Sequence, residues 1–435
     1  MFMIDQDSTS LPVYSHLDEI SELLAHRGML ILNAETGAGK TTLVPWRLLR
    51  HPSFMDHKIF LLEPRRIAAR AAADRIATLL NEKIGHTVGL RTRSETIIGP
   101  FSRLEVVTYG VFTRMIQNDQ ELRGFGTLIF DEFHERAIQA DIALALAMDS
   151  RDTIRPDIKI LFMSASVDSD ALHEFNGEIP CLSISGRTYP VRIVHHPPLK
   201  NEKPWEGAAR LVNLAHETML VDDDQDILVF LPGFMEIRRT GETIARSYPS
   251  FDKNMVFFHG SLPLNEQRLV LNPPPGMRNR IILSTNVAET SITIPGVRVV
   301  VDTGLERCVR YRPRTGMNHW ETAGISRASA KQRTGRAGRM GPGTCLRWWR
   351  EEDAREEFSS PAILQEDMAP LLLETSLWGA LSPFDLKWLT PPPEAAIRKA
   401  SELLKSYPSQ MMKVALRNRA LLQQFWEFIR VLVVC

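Results

Sequence analysis

A glycine-rich stretch near the N-terminus has the residue types that bind phosphate. The segment AETGAGKT (34–41) follows the pattern G-x-x-x-x-G-K-[ST], except that an alanine replaces the first glycine. Gly37 and Gly39 allow a tight turn that aims backbone N–H groups at phosphate oxygens. Lys40 can reach the β- and γ-phosphates, and Thr41 can bind Mg²⁺. Because an apolar run precedes the segment and a helical one follows it, a phosphate site is favoured over a ligand-free turn.

A second stretch, LIFDEFHER (128–136), brings an apolar run directly into two acids. In P-loop folds a neighbouring strand ends in an aspartate that holds the magnesium, and a nearby group orients the attacking water. Asp131 fits the metal role. Glu132 fits a general base acting on a water in line with the γ-phosphate. The alternative is that charged residues simply begin the next helix, as they often do at strand ends.

The elements that position these residues are predicted from two series of short apolar runs. The runs are nearly continuous in apolar residues, which is typical of strands buried on both faces of a parallel sheet. The first series lies at 28–34, 58–64, 104–109, 127–132 and 158–166, and the second at 191–196, 226–232, 255–260, 280–286, 297–304 and 344–349. This pattern predicts an α/β fold with two tandem domains, divided near residue 188, and a small helical segment after residue 350.

Composition narrows the function classes. The chain has 435 residues, and its 52 Lys and Arg balance its 52 Asp and Glu. A nucleic-acid partner must therefore be bound by a local patch. The four cysteines are far apart, which argues against disulfides and a structural zinc site and fits a reducing cytosol. No secretory leader and no run of about 18 to 20 apolar residues is present, so we expect a cytoplasmic protein without a membrane partner.

The ordered series of motifs resembles the DEAH-box class of superfamily-2 helicases, and the form DEFHER is most similar to their bacterial HrpB-type branch. The resemblance covers residues 11 to about 404. The matching segments are AETGAGKT (34–41), LEPRRIAAR (62–70), VTYGVFTRM (107–115), DEFH (131–134), SAS (164–166), ILVFLPGFMEI (227–237), STNVAETSITIPGVRVVVDTG (284–304) and QRTGRAGR (332–339).

The resemblance implies two RecA-like lobes with ATP and Mg²⁺ in the cleft between them. The implied ATP contacts are Glu35, Thr36, Gly37, Ala38, Gly39, Lys40, Thr41 and Thr42, with Thr41 and Asp131 as metal ligands. From the second lobe, Gln332 is implied to orient the water, while Arg336 and Arg339 stabilise charge on the transferred phosphoryl group. His134 is implied to contact the second lobe when the cleft closes.

The same resemblance implies binding of single-stranded RNA, with DNA as the alternative, and 3′ to 5′ movement along the strand. The implied contacts are Arg65, Arg66, Thr108, Gly110, Arg114, Thr285 and Asn286. Ser164, Ser166 and Thr293 are implied to couple nucleotide state to the RNA channel. Contacts to phosphates carry no base information, so we expect salt-dependent and largely sequence-independent binding.

The chain departs from the family pattern near its end. The predicted domains are 1–188 and 189–350 (RecA-like), 351–404 (winged-helix-like) and 405–435 (a divergent tail). The family's ratchet and OB-like regions do not follow. A natural short form, a disrupted reading frame and an apolar tail that docks on a protein partner are the three explanations, and disruption is favoured. Two functions remain open: an ATP-driven RNA helicase, or an ATP-gated RNA-binding scaffold that does not unwind effectively.

Overall fold

The computed structural model describes residues 6–165, 169–177, 179–186, 189–218, 225–274, 276–289, 294–312 and 314–406. Within these residues the chain forms two α/β lobes in tandem, each built on its own sheet. Predicted residues Ser166 and Thr293 lie outside the described residues. So does the predicted tail, apart from residues 405 and 406.

The first lobe is a mainly parallel sheet between two helical layers. Its strands are β1 (Met29–Ala34), β2 (Lys58–Glu63), β3 (Val88–Arg91), β4 (Thr96–Ile97), β5 (Leu104–Thr108), β6 (Phe125–Phe130), β7 (Lys159–Ser164) and β8 (Cys181–Ile184). Its helices are α1 (Gln6–Thr9), α2 (Leu17–Arg27), α3 (Lys40–Leu48), α4 (Arg66–Leu79), α5 (Tyr109–Asn118), α6 (Ile138–Thr153) and α7 (Ser169–Asn176). The strand order is β4-β3-β5-β2-β6-β7-β1-β8, and β4 is antiparallel to β3.

The continuous apolar runs have a direct structural cause, which β1 illustrates. Its alternate residues enter two different cores, because successive side chains of a strand point to opposite faces. Met29 and Ile31 pack into one core, and Leu30 and Leu32 pack into the other. Since both faces are covered, polar residues would be buried without partners on either side.

The second lobe is an all-parallel sheet with one projecting antiparallel hairpin. Its sheet strands are β9 (Val191–His195), β10 (Asp226–Phe230), β11 (Met255–Phe258), β12 (Ile281–Ser284), β13 (Val297–Asp302) and β16 (Gly343–Arg347), and the hairpin is β14 (Leu305–Arg312) with β15 (Met317–Gly324). Its helices are α8 (Pro204–Thr218), α9 (Phe234–Ser247), α10 (Leu264–Leu271) and α11 (Arg327–Gly335). The sheet order is β11-β12-β10-β13-β16-β9.

The segment after residue 361 is helical, with α12 (Ala369–Trp378) and α13 (Glu394–Ser406), and it returns to the first lobe. Leu371 and Leu372 of α12 belong to the same apolar core as Phe130 of β6. Trp378 donates its Nε1–H to Asp149 Oδ2 of α6 at 2.8 Å. The helical segment therefore follows the second lobe in sequence but is packed against the first.

The predicted parallel sheets of two tandem lobes are confirmed, and every predicted run contains an observed strand. Strands β3, β4, β8, β14 and β15 were not predicted. Strand β8 lies in the first sheet and β9 in the second, and residues 187 and 188 between them are outside the described part. The boundary near residue 188 stays a prediction. Within the described residues, no helix is both long and apolar enough to cross a membrane.

Candidate active site between the lobes

The glycine-rich turn after β1 has the backbone shape that phosphate binding requires. Gly37 and Gly39 have φ angles of 90° and 91°, in the left-handed region that glycine adopts without steric cost. Lys40 begins α3, and its side chain is only 3% exposed. Lys40 Nζ donates to the carbonyl of Ala34 at 3.2 Å and lies 3.6 Å from Glu132 Oε2. The ammonium group is thus held where the turn and the acidic strand end meet.

Thr41 and Asp131 are brought together, although they are 90 residues apart in sequence. The Thr41 hydroxyl donates to Asp131 Oδ2, and Asp131 Oδ1 accepts the Glu132 N–H at 2.8 Å. Burial, together with the nearby charge of Glu132, raises the pKa of Asp131 to about 6. A hydroxyl and a carboxylate form an oxygen-only donor set, which fits Mg²⁺.

The described residues do not form a complete metal-binding site on their own. Among the described residues, no group of three or more His, Cys, Asp or Glu side chains could hold a metal ion. Mg²⁺ in nucleotide sites typically uses one or two protein ligands and completes its shell with phosphates and water. The pair formed by Thr41 and Asp131 therefore fits a metal that arrives with a nucleotide.

Glu132 occupies a strained position between two basic groups. Its φ is 49°, which is uncommon for a residue other than glycine. Its Oε2 lies 3.6 Å from Lys40 Nζ and 3.5 Å from His134 Nδ1. The Ala165 N–H donates to His134 Nδ1 at 3.4 Å, so the proton of the neutral ring belongs on Nε2. Burial lowers the pKa of His134, which keeps the ring neutral at pH 7.

Glu63 is a third buried acid at this site, and the sequence analysis missed it. It ends β2 and is completely buried. Burial, followed by the charges of Asp131 and Glu132, raises its pKa well above the ordinary value. The signal was available, because an acid at the end of an apolar strand had already singled out Asp131.

The second lobe contributes two guanidinium groups to the same place. Arg339 lines a 1020 Å³ cavity together with Lys40 and Glu132. It also approaches the glycine-rich turn, since a Cβ added at Gly37 would lie 3.7 Å from Arg339 Nε. Burial lowers the pKa of Arg339 to about 10, and burial next to Arg339 lowers that of Arg336 well below its ordinary value. In both arginines burial disfavours the charged form, and a bound anion would stabilise it.

Helix α11 and the arginine that anchors it position this pair. The Ser326 hydroxyl oxygen caps α11 by accepting the Ser329 N–H at 3.2 Å. Arg333 is 1% exposed and donates to Glu289 Oε2 at 2.8 Å and to Asp302 Oδ1 at 3.0 Å. Arg333 lies inside QRTGRAGR but was not predicted as a site residue. Its contacts indicate that it fixes α11 on the second lobe.

Gln332 lies near His134 and does not line the 1020 Å³ cavity. It lines a separate 310 Å³ cavity together with His134, Glu135 and Asn286. Arg65, predicted to contact nucleic acid, lines the same cavity and bridges the lobes. Its Nη1 donates to the Asn286 carbonyl at 3.0 Å, and its Nη2 donates to Glu135 Oε2 at 3.2 Å.

The other predicted residues lie along one edge of each sheet. In the first lobe, Arg66, Gly110 and Arg114 are exposed and Thr108 is half-buried, whereas Ser164 at the end of β7 is buried. In the second lobe, Thr285 is buried after β12. The carboxyl edge of a parallel sheet is where α/β folds bind ligands. Among the ATP residues, Thr36, Gly37, Ala38, Gly39, Lys40, Thr41 and Thr42 line the large cavity, and Glu35 neighbours Gly186 in its wall.

Two RecA-like lobes that enclose a P-loop, an acidic strand end and paired arginines define a tandem-lobe nucleotide-binding protein. Comparison with known proteins makes this class specific. Residues 16–175 match the family described as DEAD/DEAH box helicase, and residues 209–341 match the helicase conserved C-terminal domain. The chain belongs to the DEAD/DEAH box helicase family.

Relatives with known names agree with this assignment. The chain is 45% identical to the ATP-dependent RNA helicase HrpB of Escherichia coli over 91% of its own length and 49% of the relative. It is 33% identical to the ATP-dependent RNA helicase HrpA of Borreliella burgdorferi over 91% of its length and 48% of that protein. The crystal structure of Escherichia coli DEAH/RHA helicase HrpB matches with a TM-score of 0.83 and 43% identity, covering 91% of this chain and 50% of that one. The chain thus spans about half the length of these two relatives.

Proposed function

We propose that this chain hydrolyses ATP with Mg²⁺ in the cleft between its lobes and couples hydrolysis to single-stranded RNA. The observation that carries the proposal is the convergence of Lys40, Glu132 and Arg339 on one cavity. These residues come from both lobes and supply a phosphate-binding cation, a buried acid and a second cation. The names of its relatives as ATP-dependent RNA helicases support the same function.

Thr41 and Asp131 would hold Mg²⁺, which supplies electrostatic stabilisation of the phosphate oxygens when bound. The Thr41 hydroxyl now donates to Asp131, so it would turn its oxygen toward the ion. Lys40 would leave the Ala34 carbonyl and bind the β- and γ-phosphates. Glu132, whose Oε2 lies 3.6 Å from Lys40 Nζ, would accept the proton of the attacking water.

Arg336 and Arg339 would bind the γ-phosphate from the second lobe. An arginine supplied in this way is worth about 10³ to 10⁵ in rate in related phosphoryl transfers. Gln332, which lines the neighbouring cavity with His134, would orient the water only when the lobes close, and His134 would sense that closure. Hydrolysis would then depend on how the lobes are placed, because the acid and the arginines belong to different lobes.

The proposed RNA surface is the carboxyl edge of the sheets. Arg66 and Arg114 are exposed there, next to the exposed backbone of Gly110. Thr285 and Asn286 would contribute from the second lobe, with Ser164 coupling the surface to the ATP site. Such contacts address phosphates and give little base specificity. We propose 3′ to 5′ movement and strand separation as the output, and 1–188, 189–350 and 351–404 as the domain limits.

Phosphate release tests the ATPase proposal directly. We expect single-stranded RNA to raise the rate for the parent protein, and Lys40→Ala to abolish ATP hydrolysis with and without RNA. Strand separation of a 3′-tailed RNA duplex then measures the proposed output. Equal rates for both proteins, with and without RNA, would rule out an RNA-stimulated ATPase that depends on this site.

A further inference from the structure

The segment DEFHER (131–136) contains a short turn, and the residues on either side of that turn are both conformationally strained. Glu132 and Arg136 have φ angles of 49° and 45°, and residues 133–135 form a single 3₁₀ turn between them. Residues other than glycine keep such angles only where the surrounding structure determines them. The placement of Glu132 therefore depends on whatever holds the far end of this turn.

Arg136 is held by the C-terminal helical segment. Its Nη2 donates to the hydroxyl of Thr390 at 2.9 Å, and its carbonyl accepts the Ala362 N–H at 3.1 Å. Its Nε donates to Asp141 Oδ1 on α6 at 3.3 Å. The backbone and the side chain of Arg136 thus join the end of the turn at residues 133–135 to the helical segment at two points, Ala362 and Thr390.

The same segment also contacts the hairpin of the second lobe. The Tyr311 N–H of β14 donates to the Gln365 carbonyl at 2.7 Å. The Asp367 N–H donates to Asn318 Oδ1 of β15 at 2.9 Å. Residues 362–367 therefore lie between the catalytic turn on one side and β14–β15 on the other, with direct hydrogen bonds to both.

We propose that Arg136 is a positioning residue that ties the turn carrying Glu132 and His134 to residues 362–367 and, through them, to β14–β15. This inference rests on the proposed function, because it assigns the turn to ATP hydrolysis. A shift of the hairpin or of the helical segment against the first lobe pulls on Arg136 and hence on Glu132. Lys40 and Thr41, which would contact the nucleotide, belong to a different loop. The connection through Arg136 therefore controls turnover rather than ATP affinity.

Hydrogen exchange tests the placement without any nucleotide. Thr390→Val removes the hydroxyl that accepts from Arg136 and keeps the side-chain shape, whereas Thr390→Ser keeps the hydroxyl. Thr390→Val releases the Arg136 side chain, so the hydrogen bond from the Ala362 N–H to the Arg136 carbonyl should open more often. We therefore expect the peptide spanning residues 360–368 to exchange about fivefold faster in Thr390→Val, equivalent to weakening by one ordinary hydrogen bond, and at the parent rate in Thr390→Ser. Parent-like exchange of this peptide in both Thr390→Val and Arg136→Ala would overturn the placement.

Steady-state ATP hydrolysis tests the functional consequence. Thr390→Val and Asn318→Ala, at opposite ends of the connection, should each lower kcat by about tenfold while KM stays within about twofold, since small misplacement of a catalytic group mainly affects the rate. Thr390→Ser should restore kcat. A purely structural role would leave kcat per folded molecule unchanged.

The positioning role of Arg136 and the proposed ATPase function would be contradicted by different results. If the parent hydrolyses ATP and Thr390→Val, Asn318→Ala and Arg136→Ala all keep the parent kcat, the positioning role is wrong and the ATPase stands. If the parent hydrolyses no ATP, the proposed function is wrong and the control of turnover falls with it. The exchange measurement still decides whether Arg136 holds residues 362–367.

Discussion

At the residue scale, the centre of the site is a group of buried carboxylates around one lysine. Glu63, Asp131 and Glu132 are all within 2% exposure, and Lys40 is the cation beside them. Burying three acids together costs free energy unless a cation neutralises them. The arrangement is suited to a site completed by a divalent ion and by the arginines of the other lobe.

A pH dependence follows from the raised pKa of Asp131, which is about 6 against an ordinary value of 3.8. A raised pKa stabilises the folded protein below the unfolded value, and that stability is lost as the pH rises through the folded value. Without metal, the thermal midpoint should therefore fall as the pH rises from about 4 to about 6 because of this group.

The same ionisation should control metal binding. Mg²⁺ needs the ionised carboxylate, so in the presence of ADP it should raise the thermal midpoint at pH 8 and have little effect at pH 5. Asp131→Asn is the control, and it should remove the difference between the two pH values. An equal Mg²⁺ effect at pH 5 and pH 8 in the parent would contradict this role.

RNA binding gives a second prediction for a single residue. Arg114 is exposed on α5, where a phosphate contact is proposed. Each phosphate contact to a single strand contributes about 0.7 to the slope of log affinity against log salt. Arg114→Ala should reduce that slope by about 0.7 in a fluorescence titration with single-stranded RNA. Arg246→Ala, in the last turn of α9 and exposed at the opposite edge of the second sheet, should bind like the parent. Equal slopes for all three proteins would remove Arg114 from the RNA surface.

At the element scale, the sequence predicted five strands of the first sheet and all six strands of the second. The predicted strands at the centre of a sheet are covered on both faces, so their apolar runs are continuous, as in β1 and β6. Strand β3 is only four residues long and contains Gly89, which leaves little pattern to detect. The hairpin β14–β15 is largely solvent-exposed, with Trp320 68% exposed, so no burial pattern marks its residues.

Site residues were predictable from the sequence where they follow a strand within a known motif. They were less predictable where the packing of separate elements determines their contacts. Lys40, Glu132 and Arg339 were predicted and line one cavity. The contact of Arg65 with the second lobe and the contact of Arg136 with Thr390 depend on how separate elements pack. Neither is encoded in local spacing, so a single sequence could not specify them.

The packing of α12 on the first lobe gives a stability prediction. Leu371 is completely buried in the core shared with β6 and α6. Leu371→Ala should lower the free energy of unfolding by about 2 to 5 kcal/mol, through lost burial and the cavity left behind. Denaturant unfolding measures this change. Leu381→Ala, at a position 65% exposed, is the matched control and should shift it by no more than about 0.5 kcal/mol. If both variants unfold alike, α12 is not part of the first-lobe core.

At the scale of the whole molecule, neither lobe completes the proposed ATP site alone. The P-loop, metal ligands and acid belong to the first lobe, and the arginines belong to the second. The helical segment and the hairpin add a further connection between the lobes through Arg136. In the proposed mechanism hydrolysis depends on interlobe geometry, and this dependence would allow RNA binding to regulate it.

The most direct test of this central claim is the ATP hydrolysis rate of Arg339→Ala, measured beside its affinity for a fluorescent ATP analogue. We expect kcat to fall by about 10³ or more while the affinity changes by less than about tenfold, because the arginine would act on the transferred phosphoryl group. Arg246→Ala, in the last turn of α9 and outside the lining of both cavities, should keep the parent rate. A parent-like kcat for Arg339→Ala would contradict a site completed by the second lobe.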